Sequence, residues 1–320
     1  MDLRTPICDA FNIELPIFLA GMGGVAFAEV CAAVSEAGGY GTLGMTGVEP
    51  ERIRKEMRYV RQLTDRPFGV DLLAALPEQV SAAIDVIIEE GASAFIAGLG
   101  VPEPVIEKCH SAGVKVISLC GKVSHAVHAE QAGCDVVVAQ GTEAGGHTGK
   151  VAGMALIPQV VDAVKIPVLA AGSIVDGRSL TAALALGAQG VWMGTRFVAS
   201  HEARAAEGYK KCITEIGSTD TVVTRCYSGK PMRVIRNPYV EDRERNPEQT
   251  EPFPQQLVSS VEGGLMGSLA GDLGEFDPAR TCMPAGQGSG SIGEIASCAD
   301  IIERVVAEAR ETIEYLGWLR

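Results

Sequence analysis

Residues 140–150 read QGTEAGGHTGK and set one histidine, His147, among glycines directly after the apolar run Val136–Ala139. Glycines crowded around an ionisable side chain mark a place where something approaches the backbone closely. A neutral imidazole in such a loop can take a proton from a carbon acid or give one to a developing anion, because its pKa lies near working pH. The plainer reading is a histidine that satisfies a loop hydrogen bond. Glu143, in the same loop, reads as a residue that orients it. Two other turns are built of small residues: Gly172 and Ser173 in AAGSIVDGRS, and Gly194 and Thr195 in VWMGTRF. Such turns let backbone N–H groups and hydroxyls face phosphate oxygens, helped by the positive end of a following helix. Either one alone is equally a tight strand-to-helix connection. In AGMGGVAFAE, the residues Gly21, Met22, Gly23 and Gly24 form a flat surface that suits a planar ring, or simply a turn.

Metal chemistry finds little support. His125 and His128 stand three apart on a helical stretch without a third ligand, which favours a solvated helix face. The nine cysteines form no CxxC pair and no regular framework, so they read as reduced, mostly buried thiols. None lies in the glycine loops named above, which argues against a cysteine nucleophile.

The elements that must position these residues are eight apolar runs: Pro16–Ala20, Gly39–Leu43, Phe68–Leu72, Ala94–Ala97, Val114–Leu119, Asp135–Ala139, Pro167–Ala170 and Gly190–Met193. Helical segments such as PERIRKEMRYVRQL, PEQVSAAIDVIIEEG, PEPVIEKCHSAG and RSLTAALALGA separate them, and Gly38, Gly91, Gly113, Gly133 and Gly187 stand at helix ends. This pattern predicts an α/β chain folded as a TIM (β/α)8 barrel, with an open doubly wound sheet as the competitor. The runs are continuous rather than alternating, as in strands covered on both faces. In a barrel, phosphate sites favour the loops after strands seven and eight, where the Gly172–Ser173 and Gly194–Thr195 turns fall. That coincidence makes a phosphate the better reading of both.

After residue 216 the periodicity fades. Residues 1–215 are expected to form the barrel. Residues 216–320 are expected to supply an irregular excursion (a lid, a small subdomain or a loop), a glycine-rich loop, and a C-terminal helix, about Ser297–Leu316, packing on the barrel. Arg225, Lys230, Arg233 and Arg236 in the excursion would meet ligand phosphates if they reach the mouth, or otherwise sit in solvent.

The 320 residues carry a formal charge of −13 and are 47% hydrophobic. Such acidity argues against wrapping nucleic acid. No apolar run approaches the ~20 residues that span a bilayer, so no membrane partner is expected. The N-terminal stretch has no long apolar core flanked by basic residues. A cytoplasmic protein with a small-molecule substrate is the expectation.

Taken together, PIFLAGMGGVA, DRPFGVDLL, GTEAGGHTGK, VLAAGSIVDGRSLTAALALGAQGVWMGTRF and AGQGSGSIGE resemble the nitronate monooxygenase (2-nitropropane dioxygenase) superfamily. Its relatives include flavin-type enoyl-acyl-carrier-protein reductases, NAD(P)H:quinone reductases and flavin enzymes acting on acyl-CoA. The resemblance covers most of residues 5–215 and returns near 284–292. It implies an FMN-binding TIM barrel with His147 in the catalytic role. Gly21, Met22, Gly23, Gln140 and Gly145 would lie against the flavin, Gly172, Ser173, Gly194 and Thr195 would hold its phosphate, and Gly286 and Gln287 would stand at the active-site rim. Two departures stand out. Asp71 replaces an asparagine common after PFGV, so a carboxyl would face the flavin as an anion or with a shifted pKa. Leu119 stands where some relatives have lysine. The implied activity is FMN-dependent oxidation of nitronates or nitroalkanes with O2. The alternatives are NADH- or NADPH-dependent reduction of enoyl thioesters or quinones, and a flavin-binding barrel without turnover. A homodimer is compatible with the resemblance.

Overall fold

The computed structural model describes residues 2–73, 77–98, 100, 103–267 and 276–318, without the side chains of 77–79. Pro102, where one predicted helix begins, and 268–275 of the glycine-rich segment lie outside the described residues.

Each of the eight predicted runs forms a strand. They are β1 (Ile17–Leu19), β2 (Gly41–Gly44), β3 (Phe68–Leu73), β4 (Ala94–Gly98), β5 (Lys115–Cys120) and β6 (Val136–Gln140), then, beyond a two-residue strand β7 (Gly146–His147), β8 (Val168–Ala171) and β9 (Gly190–Met193). All eight long strands pair in parallel, in the order β1-β9-β8-β6-β5-β4-β3-β2. The ring closes where Phe18 bridges Tyr40, with Tyr40 N–H donating to Ile17 O at 2.8 Å and Leu19 N–H to Tyr40 O at 2.9 Å. Closure decides for the TIM barrel over the open sheet.

Strand parity sorts the side chains. Phe18, Tyr40, Ile96, Ile117, Val138, Leu169 and Trp192 fill the interior, whereas their neighbours Leu19, Phe95, Ala97, Val137, Ala139, Val191 and Met193 pack in the layer shared with the helices. The same alternation turns Asp71 and Gln140 inward at the upper strand ends. Helix Pro6–Phe11 seals the bottom, its Phe11 ring meeting Phe18 at 5.2 Å and Tyr40 at 5.1 Å, both edge-on. The five glycines read as helix ends all have positive φ.

After β9 the chain leaves the ring. The stretch that looked aperiodic contains strand β10 (Thr221–Thr224), strand β11 (Met232–Ile235) and helices Pro238–Arg245 and Gln255–Glu262. Short elements around turns hide periodicity, yet they share a small core of Cys226, Tyr227, Met232, Val234, Val240, Leu265 and Cys282. β10 and β11 form an antiparallel hairpin, and β11 also pairs with β7, matching Met232 to His147 and Arg233 to Gly146. The terminal helix Cys298–Gly317 then packs against helices Ala28–Glu36 and Gly177–Ala185, which follow the first and seventh strands of the ring. It thereby fills the eighth place in the outer layer. Among the described residues, no helix is long and apolar enough to cross a membrane.

Phe11 is 4% exposed and touches both rings at the seam. Replacing it by Ala is expected to destabilise the barrel by about 3–5 kcal/mol, the usual loss for a buried phenylalanine. The urea midpoint of the variant should fall accordingly, and an unchanged midpoint would show that the helix does not support ring closure.

Candidate active site

A cavity of about 890 Å³ opens at the C-terminal ends of the strands. Gly21, Met22, Gly23, Asp71, Gln140, Gly145, His147, Gly172, Ser173, Gly194, Thr195 and Gly286 all line it. Gln287 does not: its side chain is exposed and its N–H donates to Glu143 O at 2.9 Å, while Gly288 reaches the cavity instead.

Backbones crowd here because side chains are absent. A Cβ on Gly145 would lie 2.8 Å from the carbonyl carbon of Ala285, and one on Gly286 would lie 2.8 Å from Glu143 O. The histidine loop and the 284–288 segment therefore touch through glycines. Glu143 holds the loop as expected: its carboxylate accepts from Gly153 N–H at 2.9 and 3.1 Å, at the start of helix Gly153–Ala163.

His147 is fixed from three sides. Gln140 Nε2 donates to its carbonyl at 2.5 Å, β11 pairs with its backbone, and Ser228 Oγ lies 2.8 Å from its Nε2. Its Nδ1 makes no hydrogen bond among the described residues. Burial, and then the nearby Lys230 ammonium, push the His147 pKa down to about 4. The imidazole is therefore neutral at physiological pH, and a weaker base than an exposed histidine.

Asp71 shows the opposite effect of the same burial. Its carboxyl makes no hydrogen bond or ion pair among the described residues, and desolvation raises the carboxyl pKa well above the ordinary value of 3.8. Its side chain packs on Gly21, where an added Cβ would fall 2.1 Å from Asp71 Cβ. Of the two possibilities the sequence left open, the shifted pKa is the one the geometry supports.

The turns after β8 and β9 offer a cradle for an anion. Gly172 and Ser173 both have positive φ, 109° and 54°. Ser173 Oγ is buried without a hydrogen-bond partner, a state that costs about 1–3 kcal/mol unless a ligand satisfies it. Thr195 Oγ1 accepts from Gly286 N–H at 3.1 Å, which leaves its own proton to donate. These groups fit the phosphate of a flavin. The helix end expected to assist is otherwise occupied: Asp176 accepts from Ser179 N–H at 2.8 Å and Glu308 from Gly177 N–H at 2.9 Å. An anion would rest on the turns themselves.

Of the four basic residues in the excursion, Lys230 lines the cavity, its Nζ 4.2 Å from the Phe253 ring centre. Arg233 is buried and structural, donating to Thr142 O at 3.0 Å and to Thr221 Oγ1 at 3.1 Å. Arg225 donates to Gly229 O at 3.0 Å, and neither it nor Arg236 lines the cavity. Cys120 and Cys134 do line it, but burial raises their thiols to about 12 and about 11, away from nucleophilic thiolate. Sequence reasoning passed over Ser228, Lys122 and Lys150. Ser228 follows the hairpin's first strand at a turn, and only the β7–β11 pairing carries it to the histidine.

A family model described as nitronate monooxygenase matches residues 4–308. A "Probable nitronate monooxygenase" of Staphylococcus saprophyticus is 34% identical over 97% of this chain and 99% of its own. A 5-hydroxy-7a-methyl-1-oxo-octahydro-1H-indene-4-carboxyl-CoA dehydrogenase of Rhodococcus jostii is 33% identical over 99% of each chain. The structure of FabK from Thermotoga maritima is 39% identical, with a TM-score of 0.90 and 99% of both chains covered.

Two titrations check the electrostatics. The His147 ring resonances should keep their neutral positions as pH falls from 8 to 5, and Lys230→Met should move their midpoint upward; a wild-type midpoint near 6.5 would contradict the burial described. For Asp71 the folded pKa is raised, so its contribution to stability is full below about 3.8 and is lost as pH rises toward the folded value. Asp71→Asn should therefore lose less stability than the wild type between pH 5 and pH 8, read from unfolding midpoints. Parallel losses would mean that Asp71 is ionised in the fold.

Proposed function

The chain belongs to the nitronate monooxygenase family of flavin-dependent oxidoreductases, and we propose that it binds FMN at the barrel mouth and oxidises alkyl nitronates or nitroalkanes with O2. The observation that carries this reading is the His147 imidazole, fixed by Ser228, in the same cavity as the unpartnered Ser173 hydroxyl. Bound FMN would supply the electron transfer. Ser173, Thr195 and the N–H groups of Gly172 and Gly194 would hold its phosphate, and the glycines of 21–23 would leave room for its ring. With Ser228 accepting from Nε2–H, His147 Nδ1 is the atom that takes the α-proton of a neutral nitroalkane. At a pKa of about 4 the acceptor is unprotonated across the physiological range, and proton removal by so weak a base depends on its position beside the substrate. Asp71 in its neutral form adds a hydrogen-bond donor without adding charge.

A second reading is kept because the Rhodococcus jostii relative is named for a CoA thioester. In it, NADH or NADPH supplies electrons and the substrate is a thioester or quinone, with His147 handling the proton at the adjacent carbon. A flavin-binding barrel without turnover is the third.

The purified protein should show flavin absorbance, directly or after FMN is added; none would refute the proposal. His147→Ala should then slow oxidation of a neutral nitroalkane by about 10²–10⁴-fold, the typical contribution of a positioned acid or base. A preformed nitronate, which needs no proton removed, should be affected far less. Equal loss on both would deny His147 the role of base. Rapid flavin bleaching by NADH or NADPH, with nitronate inert, would favour the second reading. Indifference of all flavin chemistry to His147→Ala would favour the third.

A further inference from the structure

The cavity is charged unlike the rest of the molecule. The chain has 40 acidic against 27 lysine and arginine residues, yet among the described residues the lining contains three lysines, Lys122, Lys150 and Lys230, against a single carboxyl, Asp71, with His125, His128 and His147 beside them. Lys230 and His147 belong to the site already described. The other four gather at one edge, in the segments after β5 and β6.

Backbone contact puts them there. A Cβ on Gly149 would lie 2.6 Å from Gly121 O, and one on Gly121 would lie 3.1 Å from Gly149 Cα. The two loops thus touch through their glycines, and Lys122 and Lys150 each follow one of them. His125 and His128 sit on helix Val123–Gln131, whose N-cap residue is Lys122 itself, with no side chain capping the first N–H groups. None of the four side chains makes a hydrogen bond or ion pair among the described residues. Like charges left unpaired repel one another. Burial, and next Lys122 and His128, hold the His125 pKa below its ordinary value. An anion at this edge would relieve that repulsion.

We propose that the edge formed by Lys122, His125, His128 and Lys150 is a second anion subsite, separate from the cradle at Gly172–Ser173 and Gly194–Thr195, and that it receives the phosphate or pyrophosphate of a phosphorylated co-substrate. The inference rests on the flavin reading for its premise that the cradle is taken by the cofactor. Phosphates of this kind come with a nicotinamide dinucleotide or with a CoA thioester.

The test uses FMN-loaded protein, with flavin content read by absorbance, and the Lys122→Gln/Lys150→Gln double variant in the same state. Calorimetric titration with NADP+ and with coenzyme A is paired with the phosphate-free counterparts nicotinamide riboside and pantetheine. At least one phosphorylated compound should bind the wild type, with Kd about tenfold weaker in the double variant and weakening as salt rises. Its phosphate-free counterpart should not distinguish the two proteins. A Lys55→Gln/Lys165→Gln variant, whose changes lie outside the cavity lining, should bind like the wild type, which separates the subsite from net charge. The compound that binds identifies the source of the phosphate. Absence of binding by both, or a Kd unchanged in the Lys122/Lys150 variant, would overturn the subsite. Protein that takes up no FMN yet still binds a phosphorylated compound through Lys122 and Lys150 would overturn the flavin reading and leave the subsite standing.

Discussion

The mouth of this barrel depends on the seam between its first two strands. β1 is three residues long and meets β2 through the bridge at Phe18 and Tyr40. So short a contact holds because the backbones can approach: a Cβ on Gly39 would lie 2.7 Å from Ile17 O, and one on Gly44 would lie 2.4 Å from Met22 O. With the ring shut, parity alone places Asp71 and Gln140 over the interior and turns their neighbours toward the helices. Were the ring open, the loops after β1 and β9 would not face those after β5 and β6.

A second constraint acts from outside the ring. The histidine loop contains too many glycines to hold its own shape, since glycine gives up the most backbone freedom on folding. The excursion supplies what is lacking. β11 pairs with β7, Arg233 ties Thr142 to Thr221, and Ser228 meets the imidazole. The excursion is thus part of the site's framework as well as its wall.

Electrostatics at the mouth follow from one cause with two signs. Desolvation disfavours whichever form is charged, so it lowers His147 and raises Asp71. Both groups are then held toward neutrality in a chain whose surface is strongly acidic. Positive charge is left to the exposed lysines at the rim. The interior therefore holds two polar groups kept toward their uncharged forms, and the lysines lie at the rim.

Much of this was legible in the amino-acid order. Eight apolar runs separated by helices gave the eight strands of the ring, because strands buried on both faces need continuous apolar residues. Glycine and small residues at the ends of the first, sixth, seventh and eighth runs marked the turns that line the cavity, since only they leave it open. Local order could not show what depends on contacts between distant residues. Ser228 lies 81 residues from His147 and meets it through strand pairing. The loops that carry Lys122 and Lys150 meet through the contact of Gly121 with Gly149, and the excursion's elements were too short to show a period. The same holds for ionisation: the sequence put a carboxyl and an imidazole at the barrel mouth, but the direction of each pKa was decided by burial, which exists only once the barrel has closed.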